Sequence, residues 1–189
     1  PDLTFRALAK MEGMDPDKDL NLSYVQTPME AAQMLAAGKA DTAILSEPPA
    51  TAAILTAGKA GRTLRRAFDL NEVWGRHTGH ARIPMAGIAL HRSLIDDSPE
   101  VLAALRAGLV PAKVRVLADP PAAAKLAERT MQMRAPVFEA AFPHLNIDVV
   151  SAASVKSELV AFYETLLDLE PASLGGKLPP DDFYMDLPG

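Results

Sequence analysis

The sequence predicts an α/β fold, a parallel-rich sheet with flanking helices. Asn21–Pro49 reads as strand, helix, strand and the start of a further helix. The phrase Ala37-Gly38-Lys39-Ala40 returns as Ala57-Gly58-Lys59-Ala60, one helix-to-strand turn used twice in a βαβαβ run. The segment 41–46 between these helices is a short, mostly apolar run, as suits a buried parallel strand.

Each element follows from its own residues. Asp2 to Met11 is predicted helical, because Asp2 can cap it, Leu3, Ala7 and Met11 recur at i, i+4, and Gly13 follows. Asp15-Pro16-Asp17-Lys18-Asp19 is a turn whose alternating acids lack the glycine and closing glutamate of a calcium loop. In 20–26, Leu20, Leu22, Tyr24 and Gln26 alternate with Asn21, Ser23 and Val25, an imperfect period of two that predicts a strand. Thr27-Pro28-Met29-Glu30 then opens a helix over 28–37: Thr27 is the cap, Pro28 suits the first helical position and Glu30 can bond back to the cap amide. Gly38 closes it. Residues 41–46, with Ile44 and Leu45, form the second predicted strand, and Pro48-Pro49 opens a helix over 49–57 that Gly58 ends. A third strand is expected over 62–68.

Residues 69–82 read as irregular and hold the only tryptophan, Trp74. His77 and His80 are spaced like metal ligands on a helix, but the glycines around them and the lack of a carboxylate cluster argue against a metal. Ile83 to Leu90, IPMAGIAL, is expected to be a strand passing between two subdomains. Beyond it the chain turns helical. Ser98-Pro99-Glu100 opens a helix with Val101, Leu102, Leu105 and Leu109, which Pro111 should kink or interrupt. Asp119-Pro120-Pro121 opens another, 136–141 a short one, and 147–150 suggests a short strand. The best amphipathic helix is 154–169, with Val155, Leu159, Phe162, Leu166 and Leu169 on one face. The tail from Gly175 is irregular, and its aromatics Phe183 and Tyr184 could dock on the core.

Composition narrows the function classes. The 189 residues are 49% hydrophobic and 23% charged, as in a soluble globular protein, in one domain or two small ones. The net charge of -5 argues against a nucleic-acid binder, which normally presents a basic face. There is no cysteine, which removes thiol catalysis, disulfides and thiolate metal sites together. No apolar run approaches the ~18 residues of a membrane-spanning helix. No nucleophile elbow, Walker loop or dinucleotide fingerprint is present.

A parallel crossover would set the strand ends Gln26-Thr27 and Ser46-Glu47 on one sheet edge, beside the N-termini of two helices. Open α/β sheets bind ligands at that edge, and helix N-termini favour anions. Pro28, Pro48 and Pro49 remove amide donors there. Glu47 adds a negative charge that favours a ligand with N–H or cationic groups. Glu47 reads as a ligand hydrogen-bond acceptor, with a general base and a solvated turn residue as the alternatives.

Several phrases taken together resemble a known family. Asp15-Pro16-Asp17-Lys18-Asp19 before a strand, Pro28-Met29-Glu30-Ala31-Ala32, Ala36-Ala37-Gly38-Lys39-Ala40-Asp41 and Ser46-Glu47-Pro48 resemble the solute-binding proteins of ABC importers, in the nitrate, sulfonate, taurine and thiamine-precursor group. Ile83-Pro84, the Ser98-Pro99-Glu100-Val101 helix and the tail Ser173–Pro179 with Asp182-Phe183-Tyr184 continue the likeness. The resemblance implies a type II periplasmic-binding-protein-like fold: a ligand-binding α/β lobe over 1–83, a hinge strand over 84–90, and a mostly helical returning segment of the other lobe over 91–189. It further implies an N-terminal part and a signal peptide upstream of this sequence. By the same resemblance, Gln26, Thr27, Ser46, Glu47 and Pro48 face the ligand. The partners are a small-molecule solute and a membrane permease, the location is periplasmic or lipid-anchored outside the cytoplasm, and no cofactor, metal or catalysis is involved. Glu47 stands near where sulfonate and taurine binders often carry an aromatic, which points away from a simple sulfonate. Two other classes share such a fold. A pyrimidine-precursor synthase would be expected to carry a cysteine-rich motif, which this chain lacks. A ligand-sensing regulator domain would follow a DNA-binding helix-turn-helix.

Overall fold

The structure is a computed structural model that describes residues 2–131 and 133–186. The described chain is helical, and contacts divide it into two compact units.

The first unit contains Ser23–Ala67 and Pro111–Asp148. Its helices are α2 (Pro28–Ala37) and α3 (Pro49–Lys59), joined later by α7 (Pro120–Met131) and α8 (Ala135–Ala141). Thr27 caps α2 as its sequence predicts, and Gly38 ends it in the left-handed region at φ 73°. Helices α2 and α3 pack on each other, and their buried residues are small: Ala32 and Ala36 on one, Thr51, Ala53 and Ala57 on the other. Small side chains let the two backbones approach closely. Helix α3 also packs on α8, and α8 on α7, around a cluster of Ala124, Ala127 and Phe138. Phe142 and Leu145 close that cluster from the 3-10 turn Phe142–His144 and the residue after it.

The second unit contains Asp2–Leu22, Phe68–Val110 and the described residues 149–186. Here α1 (Asp2–Met11) packs on α4 (Leu70–Thr78) and on α9 (Lys156–Leu169). Leu8, Val73, Trp74 and Ile83 form its core, with Met11, Leu70 and Phe162 against it. Trp74 meets Phe162 edge-on, ring centroids 5.8 Å apart, so the apolar stripe predicted on α9 supplies part of this core. Tyr184 is buried, as expected for a docking tail, whereas Phe183 stays half exposed. Helix α5 (Arg92–Asp97) is short, and α6 (Glu100–Ala118) runs on through Pro111 without interruption.

Two expectations are corrected. Residues 69–82 are not irregular: Asp69 caps α4 by accepting from Asn71 N (2.8 Å), and Gly79 ends it at φ 75°. More consequentially, the α/β fold with a parallel-rich sheet is not formed. The described residues contain no β-strand, so the type II periplasmic-binding-protein-like architecture and the strands expected at 20–26, 41–46, 62–68, 83–90 and 147–150 are overturned. These segments lack regular secondary structure, and among the described residues they form no ladder with one another. A strand is held by hydrogen bonds to another strand and by one buried face. Consecutive side chains of an extended segment point to opposite sides, yet Tyr24 and Val25 are both exposed. In 83–90, Met85 and Ile88 are 72% and 61% exposed. Apart from Ile83, which is buried in the core, these side chains find no cover, so an apolar run alone does not fix a ladder.

Candidate functional site

The site nominated by sequence lies in the first unit, at the beginnings of α2 and α3. At α2, Thr27 is extended (φ -137°, ψ 151°) and its Oγ1 accepts from Glu30 N at 3.1 Å. Glu30 Oε2 in turn accepts from Gln26 N at 3.0 Å, one residue before the cap amide that the sequence suggests. Both groups are exposed. Thr27 and Gln26 are therefore engaged in closing the helix end.

At α3 the arrangement is tighter. Ala50 N donates to Ser46 O (3.1 Å) and Ala52 N to Pro48 O (3.0 Å), which begins the helix. Thr51 N remains as a helix-terminal donor, and Glu47 Oε2 accepts from it at 3.1 Å. The same oxygen accepts from Thr51 Oγ1 at 2.8 Å. The other oxygen, Oε1, accepts from Arg66 Nε at 2.9 Å and from Arg66 Nη2. Arg66 Nη2 also donates to Thr51 Oγ1 at 2.6 Å, closing a ring of three side chains. Thr51 is 4% exposed, and the Glu47 and Arg66 side chains are 13% and 36% exposed. A carboxylate offers about four acceptor positions, and all four of Glu47's are taken. The negative charge is neutralised by the Arg66 guanidinium, which places two nitrogens on one carboxylate oxygen in charge-assisted hydrogen bonds.

The donors left at this end are the Ser46 hydroxyl and Arg66 Nη1, neither of which has a partner among the described residues. The structure thus brings Ser46, Glu47 and Pro48 together at one helix start and Gln26 and Thr27 at another, and no hydrogen bond joins the two groups among the described residues. At the opposite end, Arg62 ties the helices together. Its backbone N donates to Ala57 O at the end of α3 (2.9 Å), and its Nη1 to Ala36 O at the end of α2 (3.1 Å).

Sequence reasoning misses Arg66 and Thr51. Thr51 had a legible signal: it is a polar residue on the buried face of an alanine-rich helix, four residues after Glu47, and buried hydroxyls need partners. Arg66 had none, because it sits 19 residues from Glu47 in a segment read as a strand.

A second charged cluster lies in the other unit. Glu12 Oε1 accepts from Arg76 Nη2 and stands by His77 Nε2, both at 3.0 Å. These bonds lower the Glu12 pKa, the His77 contact most, then Arg76. His77 is thus a hydrogen-bond partner of an acid just past the end of α1. Nearby residues of the same unit, Asp2, Arg6, Lys10, Asp17 and Glu170 with Leu3 and Leu169, line an open polar cavity of about 260 Å³. Arg6 in it is held by Asp2 and Asp17. Among the described residues no group of three or more His, Cys, Asp and Glu side chains could hold a metal, and no helix is long and apolar enough to cross a membrane.

No curated protein and no solved structure matches the sequence. A family model does: the match runs over residues 1–131, which include both helix starts, the Glu47–Thr51–Arg66 ring and the α2–α3 pair. On that match, covering well over half of its length, the chain belongs to the NMT1-like family.

Proposed function

We propose that this protein is the substrate-binding component of an ABC importer, which captures a small polar solute outside the cytoplasm and delivers it to a membrane permease without altering it. The observation that carries this reading is the family membership over 1–131, which agrees with the resemblance drawn from the Asp15–Asp19, Pro28–Ala32 and Ser46–Pro48 phrases. Gln26, Thr27, Ser46, Glu47 and Pro48 frame the solute site in this reading. The arrangement of α2 and α3 supports it. The two helices pack together with their C-terminal ends tied by Arg62, so their N-terminal ends open on the opposite side.

The chemistry refines the solute. Glu47 has no acceptor position left, so it acts by fixing Arg66 rather than by receiving N–H groups of a ligand. The remaining Ser46 hydroxyl and Arg66 Nη1 are donors, and they favour a solute bearing acceptor oxygens. Segment 84–90 serves as the hinge between 1–83 and 91–189 in this reading: it has no regular secondary structure, and Gly87 has open space around it.

The test is a thermal-shift and calorimetry screen of the purified protein against small carboxylates, sulfonates, nitrate, amino acids, pyrimidines and diamines. A solute that binds only the native state raises the melting temperature, by RT ln(1 + [L]/Kd) in free energy. The expected result is a saturable shift with one class and recovery of that solute unchanged after long incubation. Recovery of a converted product would replace the importer reading with an enzyme.

A further inference from the structure

Helix α1 presents one charged row. Asp2, Arg6 and Lys10 recur at i, i+4, so they share a face. Asp17, from the turn after α1, and Glu170, just past the end of α9, stand with them around the open polar cavity of about 260 Å³ in the second unit. Sites for drug-sized molecules begin at about 300 Å³, so this space suits a smaller one.

The charges around the cavity differ in state. Arg6 is engaged: its Nε donates to Asp2 at 3.1 Å and its Nη1 to Asp17 at 2.7 Å. Lys10 and Glu170 are not. Both are exposed, and neither side chain has a hydrogen bond or an ion pair among the described residues, with the other or with any neighbour. Two opposite charges thus line one cavity without neutralising each other. Helix α9 adds to the negative side. It ends at Leu169, which also lines the cavity, with no basic residue in its last turn, so the carbonyl end of its dipole stands beside Glu170 uncompensated. Pro171 follows and has no N–H to offer the Leu167 carbonyl, the bond that would continue the helix.

These charges select the ligand. A lone anion meets three acids against two bases in the lining, and a lone cation leaves Lys10 opposing it. A molecule with an ammonium at one end and a carboxylate at the other satisfies both sides. Its ammonium takes Glu170 and the α9 terminus, and its carboxylate takes Lys10, in charge-assisted hydrogen bonds. Helices α1 and α9 pack on each other, so the two protein charges are held ready at a set spacing. Leu3 and Leu169 offer apolar wall to the methylenes between the ligand's charges.

We infer that this cavity binds a small aminocarboxylate, at a site separate from the start of α3, which belongs to the other unit. Calorimetry of the purified protein at low salt with glycine, β-alanine, γ-aminobutyrate and δ-aminovalerate tests it. Saturable binding is expected, tightest at one chain length, with butyrate and butylamine at least about tenfold weaker than the best member. Lys10→Gln and Glu170→Gln each weaken that member by about tenfold or more. Both variants keep the melting temperature of the free protein, because neither side chain is paired in it. Arg66→Lys leaves this binding unchanged, which separates it from solute capture at α3. The proposal is overturned if no member of the series binds with a Kd below about 10 mM. It is overturned equally if butyrate or butylamine matches the best amino acid, if either Gln variant retains full affinity, or if Arg66→Lys abolishes the binding.

Discussion

Glu47 and Arg66 meet through two nitrogens on one carboxylate oxygen, Nε at 2.9 Å and Nη2 beside it, while the other oxygen caps α3 at Thr51. One carboxylate therefore joins the start of a helix to a segment that no secondary structure holds. Replacing Glu47 by Gln keeps the shape but turns one oxygen into an NH2, which faces either the guanidinium or the Thr51 donors. The pair is partly exposed, so full buried-pair costs do not apply. Glu47→Gln is expected to lower stability by about 1.5–3 kcal/mol, the range for a hydrogen bond to a charged group. Urea unfolding measures it. An unchanged midpoint would show that the ring contributes nothing to the fold.

What the sequence makes legible is local. Thr27, Pro28 and Gly38 bound α2 because capping, proline's fixed φ and glycine's left-handed freedom act over four residues or fewer. The stripe Leu159, Phe162, Leu166 places α9 for the same reason, and Phe162 duly packs against Trp74. Helix α4 was hidden because Gly75, Gly79 and two histidines mask a good cap at Asp69 and the apolar pair Val73–Trp74. The sheet failed for a different reason. Strand pairing is decided by a partner elsewhere in the chain, and neither Tyr24 and Val25 nor Met85 and Ile88 find a covering surface. At the candidate site, the sequence marks Glu47 at a helix start but does not show what engages it, Thr51 and Arg66. The notion that it draws N–H or cationic solutes assumed an unpaired charge, and Arg66 cancels that charge from 19 residues away.

Gly38 is expected to resist substitution for two separable reasons. Its φ of 73° strains any residue with a Cβ. A Cβ built there would also run into the Arg62 guanidinium, which lies over it to reach Ala36 O. Gly38→Ala should cost about 1–2 kcal/mol for the left-handed backbone, plus whatever is lost when Arg62 moves. In the background Arg62→Ala the second part vanishes and the first remains. Thermal unfolding of the four proteins of this cycle checks it, and identical costs in both backgrounds would remove the Arg62 contact from the account.

The Glu12 clamp gives stability a pH dependence of known sign. Contact with His77, then with Arg76, lowers the Glu12 pKa in the folded protein below its ordinary value of 4.5. A depressed carboxylate binds fewer protons folded than unfolded, so its contribution is present above about pH 4.5 and is lost as pH falls through the lowered folded value. Glu12→Gln should flatten the acid limb of the stability profile and leave the neutral region less changed. Carboxyl NMR of Glu12 that titrates at or above the ordinary value would contradict this.

The solute prediction follows from counting donors and acceptors at the start of α3. Glu47 spends its acceptor positions on Thr51 N, Thr51 Oγ1 and two Arg66 nitrogens. Arg66 spends Nε and Nη2 and keeps Nη1, and the Ser46 hydroxyl can donate beside it. A solute that docks there gains by offering oxygens, and a diamine meets only donors. Arg66→Lys retains the charge but not the fork that grips Glu47 and aims Nη1. Its affinity for an oxygen-bearing solute should fall about tenfold or more, equal to ~1.4 kcal/mol. Ser46→Ala removes one neutral hydrogen bond and should cost about 0.5–1.5 kcal/mol. Glu47→Gln, by loosening Arg66, should weaken the same solute although it never touches it, and added salt should weaken it in wild type as screening grows. Calorimetry with the best solute from the screen decides among these. Tightest binding by a solute without acceptor oxygens, or affinity unchanged in Arg66→Lys, would take Arg66 out of the site.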